Sequence, residues 1–280
     1  MNDVPKRIQR QILRYEPVTT EGICLYPIRV DEYEEFAIAK PAVEFLHQSL
    51  PVALMGMPIL QAYYRMDAES IRDDQYPTGL FSRSILFLVL ALRRGEGMEA
   101  EQRMRLIRPR IDPANPMKLK SLVFSPDGEE ICEISPAKFQ RLRPILAAQN
   151  GLAIPDEDAN PELIRAEEEL RRKNAPELDG ALDTLVSGVA ALSGADESEI
   201  YGWPIAKLMN RQRSFQRFFD YFICGVGEAQ GTKWKKGNPT PSPFFDRKKT
   251  GSAAKVSLSE FAGGGAASAV QDGYESQFKP

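Results

Sequence analysis

Apolar positions along this 280-residue chain recur at helical spacing in several stretches and alternate in one block. That pattern predicts an α+β fold, mainly helical, with one small antiparallel sheet. The plainest helix is 78–94, apolar nearly all round from Ile85 to Leu92, with Arg93 and Arg94 at its C-terminal end and Gly95 beyond. A helix with no polar face belongs inside, so it is the expected centre of the core. The alternating block is 104–134. Runs at 104–111 and 117–124 interleave apolar with basic or small residues, and 129–134 forms a short third run. Ser125-Pro126-Asp127-Gly128 joins the last two as a proline-initiated turn closed by glycine. Lys118 and Lys120 on the outward face discourage edge-to-edge pairing.

Around these two features the chain divides into five parts. Residues 1–21 are expected to be a flexible lead. Residues 22–151 form an α+β domain. It opens with an edge or broken strand at 22–30, because Pro27 cannot donate to a ladder. Asp31 and Glu34 have capping-box spacing, and Pro41, Pro51 and Pro58 keep the following helices short. Ser135-Pro136 starts another helix, whose inner face is Phe139, Leu142, Ile145 and Leu146 and whose end is Asn150-Gly151. Residues 152–176 are a linker and a charged helix. Residues 177–230 carry apolar stripes at 182–192 and at Ile205, Leu208, Met209, Phe215, Phe219, Phe222, Ile223 and Val226, which predict a helical hairpin. Residues 231–280 are rich in Gly, Pro, Ser, Lys and Ala and are expected to be a disordered tail.

Composition narrows the function classes. The formal net charge of -3 gives no global positive field for nucleic acid. One histidine, His47, and three scattered cysteines, Cys24, Cys132 and Cys224, leave no metal-finger spacing and fit a reducing compartment. No apolar run approaches the roughly 20 residues that span a bilayer, so no membrane partner is expected. Residues 1–14 do not read as a signal peptide.

Four motifs have structural explanations. Ser135 and Lys138 match S-x-x-K, but no companion catalytic motif accompanies them and Ser135 reads as a helix cap. Asp156, Asp158, Asn160 and Glu167 fall at calcium-loop positions, yet Pro161 stands where the loop needs glycine. Gly225, Gly227 and Gly231 miss the dinucleotide spacing and read as a helix end. His47, among apolar neighbours, reads as a half-buried structural residue. The chain is therefore read as having no catalytic residue, no cofactor and no metal. The tail remains: Trp234, Lys235 and Lys236, then Phe244 and Phe245, place aromatics and cations in a flexible segment. Such residues suit a protein partner that orders them locally, with nucleic acid as a competing ligand and a solvated tail without a partner as the third reading.

Several segments together, LYPIRVDEYEEF, EICEISPAKFQRLRPILAAQNGLAIPDEDANPEL, DTLVSGVAALSG, PIAKLMNRQRSFQRFFDYF and the later SPFFD, resemble tail assembly chaperones encoded in tail modules of phages and prophages of Gram-positive bacteria. The resemblance covers most of 22–246 and transfers no catalytic residue. It implies a mainly helical, non-enzymatic protein in the cytoplasm of the bacterial host. Such a protein binds the tape measure protein, and the tail-tube protein is its second implied partner, because it helps tube subunits assemble. The competing readings are a structural virion component, such as a connector or baseplate part, and a nucleic-acid-binding accessory protein.

Overall fold

The computed structural model describes residues 4–69, 79–93, 97–125, 131–154, 181–234 and 237–245, with isolated positions at 162, 166, 169 and 170. The fold is α+β and mainly helical. Its centre is α5 (Leu80–Leu92), where every residue but Ser82 and Arg83 is buried. Short helices surround it: α2 (Tyr33–Ala39), α3 (Pro41–Glu44), α4 (Ile59–Ala68) and α6 (Ala100–Met104). Phe36 meets Phe87 at 6.0 Å between ring centroids, and Tyr64 meets Phe81 at 5.2 Å. At the C-terminal end of α5, Tyr26 N–H donates to Ala91 O at 2.7 Å, and the Arg93 guanidinium lies 5.7 Å over the Tyr26 ring.

The alternating block forms β3 (Ile107–Asp112), β4 (Asn115–Phe124) and β5 (Cys132–Ile134), an antiparallel sheet in that order. The turn predicted at 125–128 lies, after Ser125, outside the described residues. β5 pairs only with Leu122–Phe124 of β4. Further along β4, the Gln61 side chain of α4 stands in for a strand: its amide donates to Met117 O and its oxygen accepts from Leu119 N, both at 2.8 Å.

The start of the chain departs from expectation. The predicted flexible lead contains α1 (Lys6–Leu13) and β1 (Val18–Thr20), because Ile8 and Ile12 share one side of the helix and pack on the core together with Val4 ahead of it. The predicted first strand is short, β2 (Ile23–Leu25), and pairs with β1 in a separate two-stranded sheet rather than joining the 104–134 block. Glu21 and Gly22, both with positive φ, make the two-residue hairpin turn between them. The Arg141 guanidinium beside Glu21, at 2.6 Å, holds its carboxyl below the usual range. Pro27 ends β2, and the next N–H, from Ile28, donates to Asn150 Oδ1 at 2.8 Å. The capping box at Asp31 does not form. Asp31 lies in a 3-10 turn (Val30–Glu32) and pairs with Arg29 at 3.0 Å, and α2 begins two residues later.

α7 (Pro136–Gln149) starts as predicted, with Ser135 Oγ accepting from Lys138 N at 3.2 Å. Two buried polar groups on it hold the layers together. Arg143 Nε donates to Val43 O at 2.8 Å, and its Nη2 donates to Phe45 O. Gln149 Nε2 donates to Leu25 O at 3.0 Å. Beyond α7, most of 155–180 lies outside the described residues, including the calcium-like positions and most of the charged helix. The chain resumes with α8 (Leu182–Ser193), α9 (Glu197–Tyr201) and α10 (Ile205–Ala229). This segment has no core of its own: Val186, Val189, Ile200, Trp203, Ile205 and Leu208 join the cluster that surrounds α5.

Candidate functional site

α10 is the longest described helix, and its two halves sit in different surroundings. The root is clamped. Val30 N–H donates to Trp203 O and Ile205 N–H donates to Ile28 O, both at 2.9 Å, making a one-bridge antiparallel contact between Arg29 and Pro204. Ile28 is in turn held by Asn150, whose Nδ2 donates to Leu146 O at 2.8 Å. Gly151, at φ +71°, takes the left-handed turn that favours glycine and lies beside Ala206. The Trp203 indole N–H donates to Glu199 at 3.0 Å, and Lys207 Nζ lies 3.6 Å over its ring. Burial holds the Lys207 ammonium below its usual range, with Arg211 pushing the same way and Glu199 opposing. Ile205, Ala206 and Leu208 are buried; from Asn210 onward only Cys224 is.

The distal half carries large apolar side chains in the open. Phe218, Phe219, Phe222, Ile223 and Val226 are 45–68% exposed. At about 100° per residue they fall with Phe215 on one side of the helix. Phe218 and Phe222, four residues apart, meet edge to face at 4.8 Å, and Tyr221 borders them. Together they leave on the order of 500 Å² of apolar surface, in the size range that marks interaction sites. The predicted hairpin therefore covers only the root: α8 packs on α10, Phe215 still reaches the core, and beyond it the stripe stands largely exposed among the described residues.

The predicted site residues lie on the other side of this helix. Gly231, at φ +90°, turns the chain, and Thr232 N–H returns to Gly227 O at 2.9 Å. Trp234 then packs on Gly227, where a Cβ would lie 3.6 Å from its ring. Residues 237–245 run back along α10, and Arg217 Nη1 donates to Phe244 O at 3.3 Å. Arg213, Gln216, Arg217 and Asp220 line a polar cleft of about 260 Å³ with Pro239, Thr240 and Phe245. Phe244 and Phe245 are each 75% exposed. Trp234, Phe244 and Phe245 are thus brought onto one helix, and Lys235 and Lys236 lie outside the described residues. Sequence reasoning placed the exposed stripe inside a hairpin and left out Phe218 and Tyr221. The usable signal was the density of aromatics at 215–222, more than one packed helix pair needs.

The remaining motifs resolve locally. Lys138 Nζ donates to Glu133 O at 3.2 Å, and Ser135 caps α7. His47 Nε2 lies 3.0 Å from Met57 O. Gly225 and Gly227 lie within α10 and Gly231 follows its end, so the predicted helix-end reading holds only for Gly231. Among the described residues no group of three or more His, Cys, Asp or Glu could hold a metal ion, and no helix is long and apolar enough to cross a membrane. No family model, curated protein or solved structure matches this chain.

Proposed function

We propose that this protein is a non-enzymatic assembly chaperone that holds a helical partner on the distal half of α10. The observation that carries this reading is the exposed stripe of Phe218, Phe219, Phe222, Ile223 and Val226 on a helix whose root is fixed in the core. Anchors at i, i+3, i+4 and i+7 are how one amphipathic helix receives another. A fixed root spares the partner the cost of ordering the surface it binds. With the resemblance to tail assembly chaperones, the partner is the tape measure protein. The work is keeping that long helical chain in solution, in the host cytoplasm, while tail-tube subunits assemble around it. Trp234, Phe244 and Phe245 border the same helix and add contacts at its flank.

The test is affinity capture from cells that co-express the tagged full chain with a phage tape measure protein. Capture is expected with the parent and lost with Phe219→Asp/Phe222→Asp. Trp234→Ala/Phe244→Ala/Phe245→Ala should weaken it less. Equal capture by the stripe variant would overturn the assignment to α10. Stoichiometric presence of the protein in purified particles would favour a structural virion component instead.

A further inference from the structure

The stripe of α10 is apolar in its middle and cationic at its root. Lys207, Arg211, Phe215, Phe218 and Phe222 follow one line along the helix, at spacings of three and four. Arg211 is exposed, and Lys207 is close enough to feel its charge. The surrounding sequence has the same sign: residues 205–249 hold ten Lys and Arg against three Asp and Glu, in a chain whose net charge is -3. Two neighbouring cations at the foot of a bare apolar surface set a condition on whatever covers it. A helix with basic flanks would place like charges together, and one with neutral flanks would desolvate Arg211, and cover the Lys207 ammonium resting on Trp203, without supplying a counter-charge.

We infer that the occupant is an amphipathic helix of the partner protein whose apolar face is flanked by Asp and Glu, lying along α10 with carboxylates over Lys207 and Arg211. From Lys207 to Val226 the surface is about 30 Å long, which matches a helix of about 20 residues. The inference rests on the reading of α10 as the partner site and adds the partner's charge.

The probes are two synthetic helical peptides of about 20 residues with the same leucine face. One has glutamate at its other positions, the second lysine. Binding to the full chain is read by fluorescence anisotropy at low and moderate salt. The glutamate peptide should bind at least about tenfold more tightly, with the gap narrowing as salt rises. Arg211→Glu, at an exposed position, should shrink the preference, and Lys207→Glu/Arg211→Glu should reverse it. Phe222→Asp should weaken both peptides. Equal binding of the two, or a preference untouched by Arg211→Glu, overturns the inference. So does a dimer in sedimentation that Phe222→Asp dissociates, which would make a second copy the occupant. Binding to phosphatidylglycerol vesicles that Phe222→Asp abolishes would likewise overturn it in favour of a lipid surface. Capture of the tape measure protein without any peptide preference would remove the charge inference and leave the proposed function standing. A preference without capture would do the reverse.

Discussion

α5 and the distal half of α10 are both rich in apolar side chains, yet one is enclosed and the other is open. α5 is apolar around its whole circumference, so any exposed side would be costly, and helices and a strand close over it. α10 has a cationic and polar side opposite its stripe, and residues 232–245 settle on that side. Among the described residues, most of its apolar side beyond Phe215 stays exposed. The comparison separates two uses of hydrophobicity. The first specifies the fold. The second survives on the surface because the helix is already anchored at Trp203–Leu208 and does not need the stripe to form. Substitutions in the two regions should therefore differ in what they damage.

The largest effect is expected at Leu88→Asp. Leu88 is 0% exposed, and a carboxylate there meets no partner. The loss should be about 4 kcal/mol or more, enough to unfold a marginal domain, and urea denaturation reads it directly. A midpoint near the parent's would mean that α5 is not the centre of the core.

Next comes Arg143→Met, which keeps the aliphatic stem and removes the head. Val43 O and Phe45 O would lose a charged donor in a buried place, at a cost of about 2–3 kcal/mol. Thermal melting should fall clearly, with α3 loosening first in hydrogen exchange. An unchanged melt would show that packing alone holds α3 to α7.

These two sites also mark what the sequence made legible. α5, the β4–β5 pairing, α7 and its cap, and the existence of α8 and α10 all follow from local signals: period, proline, glycine and cap chemistry. In the sequence Arg143 is one of several cations in a helix, and nothing local marks it out. Its role depends on carbonyls a hundred positions earlier, which no window along the chain contains. α1 was missed because three apolar residues in a basic segment carry little weight until a core exists to receive them. The stripe at 215–226 was read as an apolar helical face, but its covering was not legible. Period tells which residues share a side and not whether a neighbour arrives.

A smaller effect is expected at Ser135→Ala. The hydroxyl accepts from Lys138 N at the first turn of α7, and Pro136 already fixes the entry, so the loss should be about 1 kcal/mol. The melting temperature should drop by a few degrees. A loss as large as that of Arg143→Met would mean that the start of α7 nucleates the sheet packing as well.

The smallest change in stability is expected at Phe222→Asp, and it tests the comparison most sharply. Phe222 is 53% exposed and meets the ring of Phe218 edge to face, with Tyr221 at its border. Aspartate forfeits that edge contact and a little helix propensity, but it also removes apolar surface from water. Position 222 lies two turns before the helix end at Ala229, so the added charge escapes most of the C-terminal dipole. The net effect on unfolding should be about 0.5 kcal/mol, within the range of ordinary surface substitutions. Capture of the helical partner should nevertheless fail, because the carboxylate lands in the middle of the stripe. Stability kept and binding lost is the signature of a surface held in reserve for another molecule. A loss of several kcal/mol would say that this chain itself covers the stripe, and α10 would then join α5 as core.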